Sequence, residues 1–189
     1  MAKLKSLIDR YSTGKIVLIL FTITNLVYAY ILGISIPATM AFTNGLKLLD
    51  MMPGGYTPEY IQQLFQVLGD EGRATYLWRQ IPADMLYPFL FGISNTLTMA
   101  YFLKKVKQFD SFFFYLCLLP LLAACADYLE NISIISMLNS FPDLSLITMK
   151  MSSLFSIIKS SSTTVYFVTL LIFICTLGIQ VFRKILKRG

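Results

Sequence analysis

The chain has 189 residues, 56% hydrophobic and only 14% charged, with a mean hydropathy of +0.67 and a net charge of +6; a soluble domain carries about 25% charged residues. So little polar surface cannot cover a water-soluble globule, which makes a bilayer the natural solvent. Histidine is absent, excluding His-ligated haem, His-based zinc centres and histidine general bases.

A membrane-crossing helix needs about 20 apolar residues for a hydrocarbon core of about 30 Å. Lys3, Lys5, Arg10 and Lys15 precede the first such run, 16–41. That run is longer than a signal-peptide core and carries Asn25, Tyr28 and Tyr30, so it reads as a retained helix. The next segment, 42–81, opens on the turn signal Pro53-Gly54-Gly55 and continues T-P-E-Y-I-Q-Q-L-F-Q-V-L-G. Thr57 is a good N-cap, Pro58 a good first helical residue, Glu59 suits the positive end of the dipole, and Gly69 is a stop signal. Ile61, Leu64, Phe65 and Leu68 share one face, predicting a short amphipathic helix that caps the bundle or lies on the outer membrane surface. Tyr76 and Trp78 then form an aromatic belt, with Arg73 and Arg79 as interface anchors or contacts to lipid phosphates.

The second span is predicted at 82–103 and the third at 112–138, joined by a short loop bearing Lys104, Lys105 and Lys107. Asn139-Ser140-Phe141-Pro142-Asp143 ends the third, with Asp143 placed to cap the next helix. A fourth span is predicted at 161–182. Continuous helix from Leu144 to Lys187 would measure about 66 Å, so it either bends near Lys159 or projects its first part beside the loop helix. Cys117, Cys125 and Cys175 lie singly in apolar runs and read as buried small hydrophobes. The fold class is therefore all-α: one transmembrane domain, 1–189, an integral membrane four-helix bundle with a short amphipathic helix in the first outer loop.

Of the 16 lysines and arginines, eleven fall in the N-terminal tail, the 104–107 loop and the C-terminal tail (Arg183, Lys184, Lys187, Arg188). The positive-inside rule places them in the cytoplasm, and four spans then put both termini there. Basic residues so placed are topology signals, and nucleic acid is not an expected partner; membrane lipids, a second copy or a membrane complex are. No cofactor or metal is expected.

Ionisable residues inside spans usually face the protein interior. Asp84 lies about 30 Å along the helix from Lys104, Asp127 about 25 Å from Asp110, Glu130 about 30 Å and Lys159 about 36 Å from Arg183. All four converge at one depth near the outer boundary. Asp127, Glu130 and Asn131 share a face, as do Asp84, Pro88, Phe91, Asn95 and Thr98, and Ser152, Ser156, Lys159, Thr163 and Tyr166. With Asn25 and Asn95 near the midplane, these stripes predict an outward-open polar cavity narrowing toward two asparagines. Its candidate ligand-binding residues are Asp84, Tyr87, Asn95, Asp127, Glu130, Asn131 and Lys159, with Arg73 and Arg79 above. Ordinary helix-packing hydrogen bonds are the competing account of the same residues.

The runs G-D-E-G-R-A-T-Y-L, D-M-L-Y-P and D-Y-L-E-N, followed by a Ser-rich, Lys-bearing fourth helix, resemble a group of small bacterial four-span membrane proteins marked by D-x-x-Y-P and D-x-x-E-N. The resemblance spans Gly69 to Ser162 and implies a multi-pass inner-membrane protein without implying an activity. Membrane thiol oxidoreductases need cysteine pairs, and claudin-like proteins a W-x-G-L-W loop with two cysteines; this chain has neither. The sequence leaves three functional classes open. One is a pocket for a lipid headgroup, amine or cation; another is an intramembrane enzyme using carboxylic acid/base chemistry on a lipid or isoprenoid. The third is a proton- or ion-coupled transporter or accessory subunit. On topology, a reporter fused after Gly189 is expected in the cytoplasm and one near Gly55 outside; cytoplasmic labelling near Gly55 would overturn the orientation.

Overall fold

The computed structural model describes residues 2–186, and among them the fold is all-helical, without strands. Its helices are α1 (Ala2–Tyr11), α2 (Gly14–Met40), α3 (Pro58–Thr75), α4 (Ile81–Lys105), α5 (Leu119–Ser140, preceded by a 3-10 segment, Phe112–Leu118) and α6 (Leu146–Leu186). Three stretches are long and apolar enough to cross a membrane: Gly14–Met40, Phe112–Ser140 and Leu146–Leu186, with mean hydropathies of 2.1, 1.9 and 2.3. They point to a membrane protein. The expectation of four such spans is met only in part, because α4 has the length but not the apolar composition.

Its position explains that composition. α4 packs against α2, α5 and α6, and Ser94 to Ala100 are buried without interruption. Only a helix surrounded on every side buries seven residues in a row. Polar side chains there face other helices and bond to backbone: Thr98 to the Ser94 carbonyl (2.8 Å) and Thr96 to that of Cys117 (2.9 Å). The Cys117 carbonyl stands open because, in 3-10 geometry, it would await the N–H of residue 120, a proline.

Prolines shape three more places. Pro37 and Pro82 each lack the N–H of a regular turn, and a π-turn lies before each, at Ile31–Ser35 and Tyr76–Gln80. The two π-turns meet where the Ser35 hydroxyl donates to the Arg79 carbonyl (3.4 Å). Pro88 withholds an N–H from the Asp84 carbonyl, and the Asn131 amide of α5 donates to it instead (2.9 Å).

Two apolar cores result. One end gathers Ile8, Leu103, Phe109, Phe114, Cys117 and Phe173. There α1, a mere tail by sequence pattern, is stapled by Lys5–Asp110 (2.9 Å) and Lys104–Asp9 (2.8 Å) ion pairs. Of the eleven basic residues assigned to one side, nine belong to this end, and Lys187 and Arg188 lie outside the described residues. The other core holds Leu48, Leu49, Ile61, Leu64, Phe65, Leu68, Met137 and Met149, so the apolar face of α3 does cap the bundle. Thr57 accepts the Tyr60 N–H as N-cap (3.2 Å).

Several boundaries depart from expectation. Gly69 adopts φ +60° and breaks the helical path, yet helix resumes at once and runs through to α4; the 70–80 stretch is not a loop. Tyr76 is fully buried rather than part of a belt, whereas Trp78 is exposed. Ser145, not Asp143, caps α6, accepting the Thr148 N–H (3.4 Å). α6 runs unbroken for about 62 Å, its first turns packed beside α3. Cys117 alone is buried; Cys125 and Cys175 are exposed, because they sit on outward helix faces.

Close packing makes glycine positions testable. A Cβ on Gly72 would stand 2.7 Å from Phe42 Cβ, whereas one on Gly33 meets nothing within 4 Å. Gly72→Ala is expected to cost about 1–3 kcal/mol by overpacking. Gly33→Ala should be neutral or gain up to about 1 kcal/mol from helix propensity. Thermal melts of both in detergent check the pair.

Candidate functional site

Between the two apolar cores lies a polar layer. Lys159 of α6 is held by two acids of α5, Asp127 Oδ1 at 3.2 Å and Glu130 Oε2 at 2.5 Å. Glu130 is completely buried, and the Lys159 and Asp127 side chains are 18% and 15% exposed. Asp127 and Glu130 are one helical turn apart, so a single ammonium between the helices reaches both.

Glu130 is further bound from the loop before α3. The Tyr56 hydroxyl donates to Glu130 Oε1 (3.1 Å) and pairs with Ser152 Oγ (2.6 Å). Burial, and then the charge of Glu130, push the Tyr56 phenol well above its ordinary value, so it remains a donor. Ser153 accepts the Tyr56 N–H (2.9 Å), Ser156 donates to the Met52 carbonyl (3.2 Å) and Ser160 to that of Pro53 (2.6 Å). A row of serines on α6 thus fastens the 52–56 strip over the bundle.

Beneath that strip is a cavity of about 530 Å³. Asp50, Asp84, Asp127 and Lys159 line it together with the apolar Ile31, Leu32, Ile36 and Phe91. Tyr28 and Tyr87 stack at its side, centroids 5.2 Å apart, with Phe91 5.7 Å beyond Tyr87. Asp50, on a 3-10 turn (Leu49–Met51), accepts hydrogen bonds from the Tyr76 hydroxyl and the Gln80 amide. Asp84 has no ion-pair partner among the described residues, and its Oδ2 is buried without a hydrogen bond. Three carboxyl groups and one ammonium therefore face the cavity, and that ammonium is already shared with Glu130.

Of the residues expected at the site, Asp84, Tyr87, Asp127 and Lys159 line the cavity, and Glu130 stands directly behind Lys159. The others do not line it. Asn131 serves the carbonyl that Pro88 frees. Asn95 lies below the cavity, accepting from the Tyr166 hydroxyl (2.9 Å) and donating to the Phe91 carbonyl (3.1 Å). Asn25 turns outward and bonds its own helix, while Thr24 faces α4; the expected pair of asparagines does not form. Arg73 donates to the Phe65 carbonyl (2.6 Å), pairs with Asp70 and lies 4.4 Å over the Phe141 ring. Arg79 is exposed. Asp50, Met51 and Pro53 of the loop before α3 belong to the cavity's lining.

Asp50 and Tyr56 were missed. The signal available for Asp50 was a lone acid inside the apolar run Leu48-Leu49-Asp50-Met51-Met52. Nothing local marks Tyr56, since its partners are 74 and 96 residues away.

Lys159→Met strands two carboxylates and is expected to cost about 3–5 kcal/mol, less where water reaches them. Asp84→Asn removes a charge without a counter-ion and should leave the melting temperature unchanged or raised. If both variants are destabilised alike, Asp84 is a structural carboxylate.

No family model, curated protein or solved structure matches this chain.

Proposed function

We propose that the chain is a four-span bundle of the plasma membrane, a bacterial inner-membrane protein with cytoplasmic termini, whose intramembrane pocket binds an ammonium group. α4 is the fourth crossing: its 25 residues span about 37 Å, and the helices around it supply the apolar surface it lacks. Nine basic residues at the α1 end support the cytoplasmic assignment of that end. Gly55 is packed against Ser153 and Ile157, so Gln62→Cys on the exposed face of α3 is the gentler label for the outer face.

The observation that carries the binding reading is Asp84. A carboxylate buried without a partner is costly, and residues kept at a cost to stability usually serve function. A cationic ligand supplies the missing charge. The neighbouring faces of Tyr87, Tyr28 and Phe91 attract the same kind of group, since ring quadrupoles favour cations, ammonium among them. An anionic ligand has only Lys159 to meet, and that ion is already shared by two acids.

A second reading, an intramembrane enzyme acting on a lipid or isoprenoid, draws on one feature: Asp84 and Asp127 face one cavity in unlike settings, one unpaired and one paired. Such a difference separates an acid from a base. A transporter is disfavoured by the packing beneath the cavity, where Phe91, Tyr166 and Phe167 meet edge to face and Tyr166 is tied to Asn95.

The test is thermal stability of the purified protein in neutral detergent with tetramethylammonium or dodecylammonium chloride, against sodium chloride and dodecanol. An ammonium at about 100 times its Kd stabilises by about 2.7 kcal/mol. The reading requires that at least one ammonium salt stabilises the protein and that Asp84→Asn abolishes the effect. It fails if neither acts, or if both act equally on the variant.

A further inference from the structure

Resting on the ammonium-binding reading above, we infer that the ligand is a single-chain amphiphilic amine drawn from the bilayer, entering sideways between α2 and α6 with its chain along the π-turn of α2. A cavity of about 530 Å³ lies within the range of about 300–1,000 Å³ that small-molecule sites occupy, far more than an ammonium group fills. Its lining is of two kinds: the carboxyl groups of Asp50, Asp84 and Asp127, and the apolar side chains of Ile31, Leu32, Ile36 and Phe91. A molecule matching both has a charged head and a hydrocarbon body.

The walls say where it enters. From water, the 49–53 loop covers the cavity, fastened to α6 through Ser156 and Ser160. At the opposite end the Phe91–Tyr166–Phe167 cluster closes it. Between α2 and α6 there is no such closure. Both helices pack on α4, but α2 forms no comparable seam with α6. Tyr28 and Leu32 on α2 and Thr164 on α6 line the cavity and are exposed on the outside as well. A shallower hollow of about 470 Å³ on the flank of α6 continues from this mouth, sharing Pro53, Ser160 and Thr164 with the cavity. Tyr28, Leu32, Ser160 and Thr164 lie in the two most apolar of the membrane-length stretches, so the mouth faces lipid.

The π-turn at Ile31–Ser35 contributes to this opening. It places Ile31 and Leu32 on the cavity wall, and π-turns recur at functional sites. No charged residue of α2 lies beside it: between Lys15 and Met40 the helix carries none. The chain of an amphiphile along this wall meets hydrocarbon on both sides.

The experiment measures binding of dodecylamine and of tetramethylammonium to the protein in phosphatidylcholine nanodiscs, for wild type, Leu32→Trp, Thr164→Trp and Asp84→Asn. Both tryptophans replace exposed residues at the mouth, and either suffices if the other fails to fold. Dodecylamine binding is expected to fall by about tenfold with a tryptophan at the mouth, equivalent to withdrawing roughly two methylenes from apolar contact. Tetramethylammonium, which has no chain to lay along the mouth, should lose less affinity than dodecylamine, and Asp84→Asn should abolish both. A dodecylamine with a photoreactive group at its chain end should label α2 at 31–36 or α6 at 160–164. Dodecylamine binding that is indifferent to both tryptophans, or labelling elsewhere, overturns the lateral, chain-bearing ligand while leaving the ammonium reading intact. Binding of both amines that survives Asp84→Asn overturns both.

Discussion

One ammonium between two carboxylates organises this protein. Lys159 sits where α5 and α6 make the most extensive helix seam of the fold, among apolar surroundings that give a lone charge no refuge. Its position determines the rest of the layer. Glu130 is committed on both oxygens, one to Lys159 and one to Tyr56, so the loop carrying Tyr56 is drawn down onto the bundle. That loop brings Asp50 with it, and Asp50 in turn receives Tyr76 and Gln80 from the approach to α4. Three segments distant in sequence thus converge on a single buried ion cluster.

The two apolar cores flank this layer, and each closes one end of the bundle. Proline is the recurrent cause of the irregularities between them. Each backbone group that Pro37, Pro82, Pro88 or Pro120 leaves without a partner is accommodated by a π-turn or answered by a side chain from a neighbouring helix. Asn131 is the clearest case: D-x-x-Y-P on α4 and D-x-x-E-N on α5 are physically joined, because the asparagine of one answers the proline of the other. Gln80 Oε1 and Asn131 Oδ1 nearby are also buried without a hydrogen bond, but what sets Asp84 apart is that it lines the cavity. Its own carbonyl is cared for while its carboxylate is left open to the cavity.

Much of the site was legible because helical periodicity reports faces faithfully. The stripe Ser152, Ser156, Lys159, Thr163 and Tyr166 turns inward as spacing predicts, as do Asp84, Pro88, Phe91, Asn95 and Thr98, and comparison of depths along the helices brought Lys159 to Asp127 and Glu130. Asn25 failed for an identifiable reason. Span one is apolar nearly all round, so no stripe told its inner face from its outer, and one residue's difference, Thr24 against Asn25, decided it. Arg73 and Arg79 were read as site residues because a basic residue near a membrane boundary has several uses. Only the kink at Gly69, across which Arg73 reaches back to the Phe65 carbonyl, shows which use Arg73 has.

Composition and periodicity by themselves determined the helical class, the apolar stretches, the amphipathic cap and the inward stripes, since each follows from transfer to hydrocarbon and a period of 3.6 residues. Long-range packing decided everything else. It surrounded α4, made a loop acid part of the site and paired Tyr56 with Glu130 across 74 residues. It also roofed the cavity and left its side open between α2 and α6. These depend on which helices touch and on where prolines displace the backbone, and no local pattern in the chain encodes either.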